Sequence, residues 1–380
     1  MTTIPPPVRL PLLISAPYLT LTAAVEAGPW WIGPLGTYEG AWLSDRFQEV
    51  ARRLIGSHVA ARDQPIPNPA IVASRASGVD GCWPELREVD GLQLALHFTV
   101  LHANPPWSED TRNYVGWTTA TSDNSTLHYW PVDVDEERVT LSGGFMVRST
   151  VGGYTLKDGV TIPAPEELHL PHRVTLDPEV LAATRSVFAG EHDATDARLA
   201  ARLATTVGWL AQAWRNTESV DTRQRIITLK TGFEALTGES DPWRAAQALD
   251  ELFRQIPLDA KQDRFAEHLV WKPSETASMT WTGLDGTPSS CTPVNHWFRS
   301  FSACRNEIIH EGRMSSDSYN EATPYAGPYL FIAERVLREA VCVSLRAFGY
   351  HDLWKSAPIR MLTKILDDSL GPGGGSVNIE

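Results

Sequence analysis

Cysteine is scarce in this chain of 380 residues. Only Cys82, Cys291, Cys304 and Cys342 occur, and no two of them form a CxxC pair. That pattern argues against a zinc ribbon or a disulfide framework, and the four read as reduced thiols. Long apolar runs are missing as well. The longest, around Leu92–Leu101, is interrupted by His97 and falls far short of the roughly 20 residues that a membrane-spanning helix needs. The first 21 residues hold too many prolines and too little basic charge for a secretory signal. There is no phosphate loop followed by Lys and Ser/Thr, no Rossmann fingerprint and no nucleophile elbow. A cytoplasmic protein is therefore expected, with no membrane partner and no cofactor.

Lysine is the other shortage, at 6 residues against 27 arginines, a bias that favours bidentate pairing. The net charge is −13. Both halves are acidic, with 12 basic and 19 acidic residues up to position 175 and 21 and 27 after it. Such a balance opposes bulk nucleic-acid binding, which rests on many phosphate contacts, but leaves room for one small basic cleft.

What is present changes texture along the chain. Up to about residue 175, short apolar runs alternate with Gly, Pro, Asn and Asp. Leu92–Leu101, Val115–Thr121, Thr126–Val132, Val139–Leu141, Phe145–Thr150 and Tyr154–Ile162 are expected as strands. One amphipathic helix is expected within Tyr38–Arg62, where Leu43, Phe47, Val50, Leu54 and Val59 recur at helical spacing. A proline-rich linker at Ile162–Thr175 leads into Ala-, Leu- and Arg-rich sequence. Helices are expected there over Glu179–Phe188, Asp196–Arg215, Val220–Leu236, Asp241–Ile256, Val294–His310, Tyr329–Gly349 and Pro358–Leu370, with a polar loop at Lys272–Pro293. The reading is α+β: a β-rich domain at 1–175, a helical bundle at 176–370 and a flexible tail at 371–380.

One segment carries chemistry. Trp297, Phe301, Cys304 and Ile308 step by 4, 3 and 4 residues and form one apolar stripe, with Arg305 at its edge, Asn306 further round and His310 in the last turn before Gly312. At about 100° per residue, Arg305 and His310 lie about 140° apart, so one ideal helix does not aim both at one point. The spacing alone also suits a surface pair with Glu307 or Glu311, and a histidine favoured by the helix dipole.

Arg305-Asn306, Ile308, His310 and Gly312 together resemble the R-x(4–6)-H motif of the HEPN superfamily. Upstream, Phe233-Glu234-Ala235-Leu236 is similar to the F-E-x-L helix of its ApeA-type branch. The resemblance covers roughly residues 178–370 and implies a helical bundle that cleaves RNA without metal. Carried over, His310 is the general acid or base at the ribose 2′-OH, Arg305 holds the phosphate, and Asn306 positions one of them. Glu234 orients a site residue or pairs with a core Arg. Family members pair so that two motifs line one cleft, which implies a homodimer acting on RNA. The setting implied is a defence or toxin ribonuclease, with the N-terminal half sensing a trigger ligand. A non-catalytic bundle for dimerisation or nucleotide binding is the alternative, and a ligand-sensing regulator is another.

Other clusters are weaker. His169 and His172 beside Glu166-Glu167 lack a third metal ligand, and Asp133, Asp135, Glu136 and Glu137 read as a solvated acidic turn. Trp30, Trp31, Trp107, Trp117 and Trp130 are core or pocket-lining.

Overall fold

The computed structural model describes residues 12–37, 45–60, 64–74, 85–103, 121–133, 138–140, 153–155, 162–164, 174–192, 196–215, 221–255, 279–282, 288–291, 293–312, 328–351 and 353. The chain divides into two compact units, the described residues up to Glu191 and those from His192 onward. The fold is α+β.

The first unit is built on a seven-stranded antiparallel sheet. Its strands are β1 (Leu12–Thr20), β2 (Val25–Ala27), β3 (Trp30–Pro34), β5 (Pro69–Ser74), β6 (His128–Asp133), β7 (Arg138–Thr140) and β8 (Gly153–Thr155), in the order β2-β3-β5-β1-β6-β7-β8. β1 lies inside the sheet, pairing Ile14 with Val72 on one side and with Tyr129 on the other. Pro17 falls where the β1–β5 register shifts, between Ala16 and Thr20. A proline donates no ladder hydrogen bond, so it is tolerated at such an irregularity. The helix α1 (Asp45–Gly56) presents Val50, Ala51, Leu54 and Ile55 to Leu13, Ile71, Ala73 and Trp130. A short strand β4 (His58–Val59) then pairs with β9 (Ile162–Pro163) in parallel.

Leu92–Leu101 corrects one expectation. It is the body of a helix, α2 (Leu86–Ala103), and not a strand. Val89, Leu92, Ala95, Leu96, Phe98, Val100 and Leu101 are buried on nearly every side, so the apolar residues show neither period clearly. Length decides such a case, because 18 residues suit a helix and not a strand. α2 crosses α3 (Pro178–Ala189) at Gly91, where a Cβ would stand 2.7 Å from Ala189 N. That approach leaves α3 inside the first unit, beyond the 175 boundary read from texture. α3 starts on Asp177, whose carboxylate accepts from Glu179 N and Val180 N, with Pro178 in the first turn.

The second unit is helical: α4 (Ala197–Ala213), α5 (Thr222–Thr237), α6 (Pro242–Phe253), α7 (Pro293–Glu311) and α8 (Pro328–Ser344), followed by a tight turn over Leu345–Phe348. Asp221 and Asp241 cap α5 and α6 through Gln224 N and Arg244 N, and Gly238 ends α5 in the left-handed region. Lys272–Pro293 holds a hairpin, β10 (Met279–Thr282) with β11 (Pro288–Cys291), in place of the expected plain loop. The expected strands Val115–Thr121 (apart from Thr121) and Phe145–Thr150, the helix Pro358–Leu370, the tail, most of the linker and the His169/His172 pair lie outside the described residues. Among the described residues no helix is long and apolar enough to cross a membrane.

Candidate functional site

α7 has two faces of opposite character. Trp297, Phe298, Phe301, Cys304 and Ile308 are buried. Phe233 of α5 sits among them, with ring centroids 5.9 Å from Trp297, 5.1 Å from Phe298 and 5.9 Å from Phe301. The two segments that carried the resemblance are therefore packed together through Phe233. The helices run antiparallel: at the far end, Arg223 Nη1 donates to the Gly312 carbonyl at 2.9 Å. Gly312 itself has φ of 67°, the left-handed geometry that stops α7 just after His310.

On the other face, Asn306 and His310 are exposed and Arg305 is half-buried. Arg305 Nη1 donates to Asn306 Oδ1 at 3.1 Å. The backbone directions of Arg305 and His310 still diverge as the spacing predicts, but the guanidinium reaches round to the asparagine that shares a face with His310. Arg305 and Asn306 are thus joined directly. His310 stands one turn on from Asn306, with no hydrogen bond linking it to either among the described residues. Ile309, next to His310, is 44% exposed, so it is not packed inside its own bundle.

Glu234 has a partner of its own. Lys230 Nζ donates to Glu234 Oε1 at 2.9 Å, within α5. Lys230 is buried and its ammonium also lies 5.2 Å from the Phe298 ring. Glu234 compensates this buried cation, and its described contacts do not reach Arg305 or His310.

Three features escaped the sequence reading. The first is Arg223, a cation set at the His310 end of α7. The second is α8, buried through Ala333–Leu345, which carries Glu334, Arg335, Arg338 and Glu339 into the interior. Arg335 Nη2 and Glu339 Oε1 are 2.8 Å apart. Arg338 Nε and Glu334 Oε1 are 3.1 Å apart, a charge contact without hydrogen-bond alignment. Burial raises the Glu334 carboxyl pKa, against Arg338, Arg335 and Arg225, which lower it. The third is Trp243, whose ring lies 3.4 Å from the Arg299 guanidinium carbon.

The first unit holds a separate histidine cluster. Just past α1, His58 Nδ1 donates to the Leu54 carbonyl at 3.0 Å, which leaves the lone pair on Nε2. Nε2 is buried with no hydrogen-bond partner among the described residues. The ring packs on Tyr18, Trp130 and His128 at centroid distances of 5.9, 5.7 and 6.1 Å. Burial lowers the pKa of His58. Burial, with the repulsion of His58 added, brings His128 down to about 4. Trp30 and Trp130 are buried, and Trp130 Nε1 donates to Ser15 Oγ, so these two are core. Among the described residues no three histidines, cysteines or carboxylates gather as a metal site.

No protein-family model, curated protein or solved structure matches this chain.

Proposed function

We propose that the second unit is a HEPN-type endoribonuclease that cleaves RNA by attack of the ribose 2′-OH, without a metal ion. The observation that carries this reading is the Arg305–Asn306 hydrogen bond, which turns the guanidinium toward the exposed face bearing His310. In this reading Arg305 grips the scissile phosphate with its fork of donors and stabilises the charge that develops there. His310 takes the 2′-OH proton or delivers one to the leaving 5′-oxygen, the acid–base task that an imidazole performs in such sites. Asn306 holds Arg305. Glu234 serves the fold through Lys230. The products are a 2′,3′-cyclic phosphate and a 5′-OH.

The active unit is a homodimer in this proposal, with two α7 helices meeting near a two-fold axis and exposed Ile309 in the contact. The first unit responds to a trigger ligand and controls the nuclease. Cleavage of RNA in EDTA by wild type and by His310→Ala tests the chemistry. Cutting that needs a divalent metal, or equal cutting of DNA or 2′-O-methyl RNA, overturns it. A non-catalytic bundle is the second reading, favoured by the net charge of −13.

A further inference from the structure

The α7 side that carries Asn306 and His310 is covered toward the helix start, where Asn295 and Arg299 are buried. Seven residues before Asn306 stands Arg299, and at about 100° per residue Arg299, Asn306 and His310 fall within about 40° of one another, opposite the apolar stripe. Arg299 is 5% exposed and Trp243 lies over it, with the guanidinium carbon 3.4 Å from the ring centroid. Trp243 is itself 43% exposed. It stands in the first turn of α6, which is fixed by Pro242 and by the Asp241 carboxylate accepting from Arg244 N at 2.9 Å. One face of the indole is thus occupied by a buried cation. The cation–π contact ties the ring to Arg299. Eleven residues separate Arg299 from His310, about 16 Å at the helical rise of 1.5 Å per residue.

We propose that Trp243 is a base-stacking platform for single-stranded RNA, receiving a base a few nucleotides from the phosphate held at Arg305 and His310. This rests on the ribonuclease reading above and adds to it a subsite that tolerates any base, since every base offers a π-face. The platform explains how an acidic protein can hold RNA: stacking supplies affinity that needs no phosphate contact. A rigid ring also costs little conformational entropy on binding.

The test measures binding of fluorescent hexaribonucleotides to the full-length His310→Ala protein by anisotropy, with each base in turn replaced by an abasic ribose. One abasic position should weaken binding about tenfold, the scale of one lost base–aromatic stack. Trp243→Ala in the same background should bind the intact hexamer about tenfold more weakly and show no further loss at that position. Trp243→Phe should keep most of the affinity. Unchanged binding by Trp243→Ala, an abasic loss that persists in it, or no binding of RNA by either protein overturns the platform. So does a change of oligomeric state alone, which would make Trp243 a contact between copies. Cleavage is read separately: if wild type and His310→Ala cut equally little while the Trp243-dependent binding holds, the nuclease reading falls and the platform stands.

Discussion

His58 and His310 both stand at the end of a helix, and they keep opposite company. His58 follows α1, spends Nδ1 on the Leu54 carbonyl and closes its ring among Tyr18, His128 and Trp130. His310 ends α7 in solvent, beside exposed Asn306 and Ile309. Position on a helix does not separate the two roles. Burial does: one ring is sealed among aromatic neighbours, and the other stands in water.

The sharpest break between them should come from deletion. His310→Ala should cost RNA cleavage about 100- to 10,000-fold, the range for losing one general acid–base group. The melting temperature should barely move, because the side chain is exposed. His58→Ala should do the reverse and destabilise the first unit by about 2–4 kcal/mol through its lost core volume. Activity assays and thermal melts on the two variants check this. A large melting shift in His310→Ala would put it on the structural side of the comparison.

A second expected effect concerns charge buried with a partner. Glu334→Ala removes the carboxylate 3.1 Å from the buried Arg338 guanidinium, which should cost about 3–5 kcal/mol in urea unfolding. Replacing both, as Glu334→Leu with Arg338→Met, should recover most of that loss, since a well-packed apolar pair is often no worse than a buried ion pair.

These contrasts mark what the sequence makes legible. The starts and stops of α3, α5, α6 and α7 are readable because Asp-Pro pairs, Asp caps and terminal glycines act locally, within a turn of the residue that shows them. The apolar stripe of α7 is equally local. α2 is not, since a helix buried on most sides has no solvent face to reveal its period. β1, β2, β3 and β5 are hidden for another reason: their pairing joins residues as far apart as Ile14 and Val72, and proline or glycine breaks the pattern within β1, β3 and β5. At the site, the residues are visible in order, but the Arg305–Asn306 bond depends on how a long side chain bends. The charges on α8 mislead outright. Glu334, Arg335, Arg338 and Glu339 carry four charges on a helix, yet all four are enclosed.

Acid sharpens the comparison further. His128, with its pKa lowered to about 4, and His58, also lowered, are charged more readily in the unfolded chain, where the ordinary value is about 6.5. Their neutral burial contributes stability that is complete above that value and is lost as pH falls toward 4. The first unit should therefore lose stability progressively between pH 6.5 and 4, and His128→Phe should flatten that slope. Urea midpoints measured across this window by near-ultraviolet circular dichroism, for wild type and His128→Phe, check it. An unchanged slope in His128→Phe would show that the cluster does not titrate in this range.

The smallest expected effect concerns whether, in the proposed nuclease, His310 acts with the Arg305 of its own chain. Even with the guanidinium turned toward Asn306, the backbone directions of Arg305 and His310 diverge by about 140°. A phosphate taking Arg305 from one chain and His310 from its copy resolves that divergence, and a two-fold contact uses the same patch twice. Mixing Arg305→Ala with His310→Ala then yields one intact site per mixed dimer. If subunits exchange at random, half the dimers are mixed, and activity should return to about a quarter of wild type. Ile309→Asp should abolish that recovery by placing two like charges at the axis. If instead the mixture stays at the level of the single variants while light scattering reports dimers, each site is built within one chain. In that case Arg305 must approach His310 by bending alone.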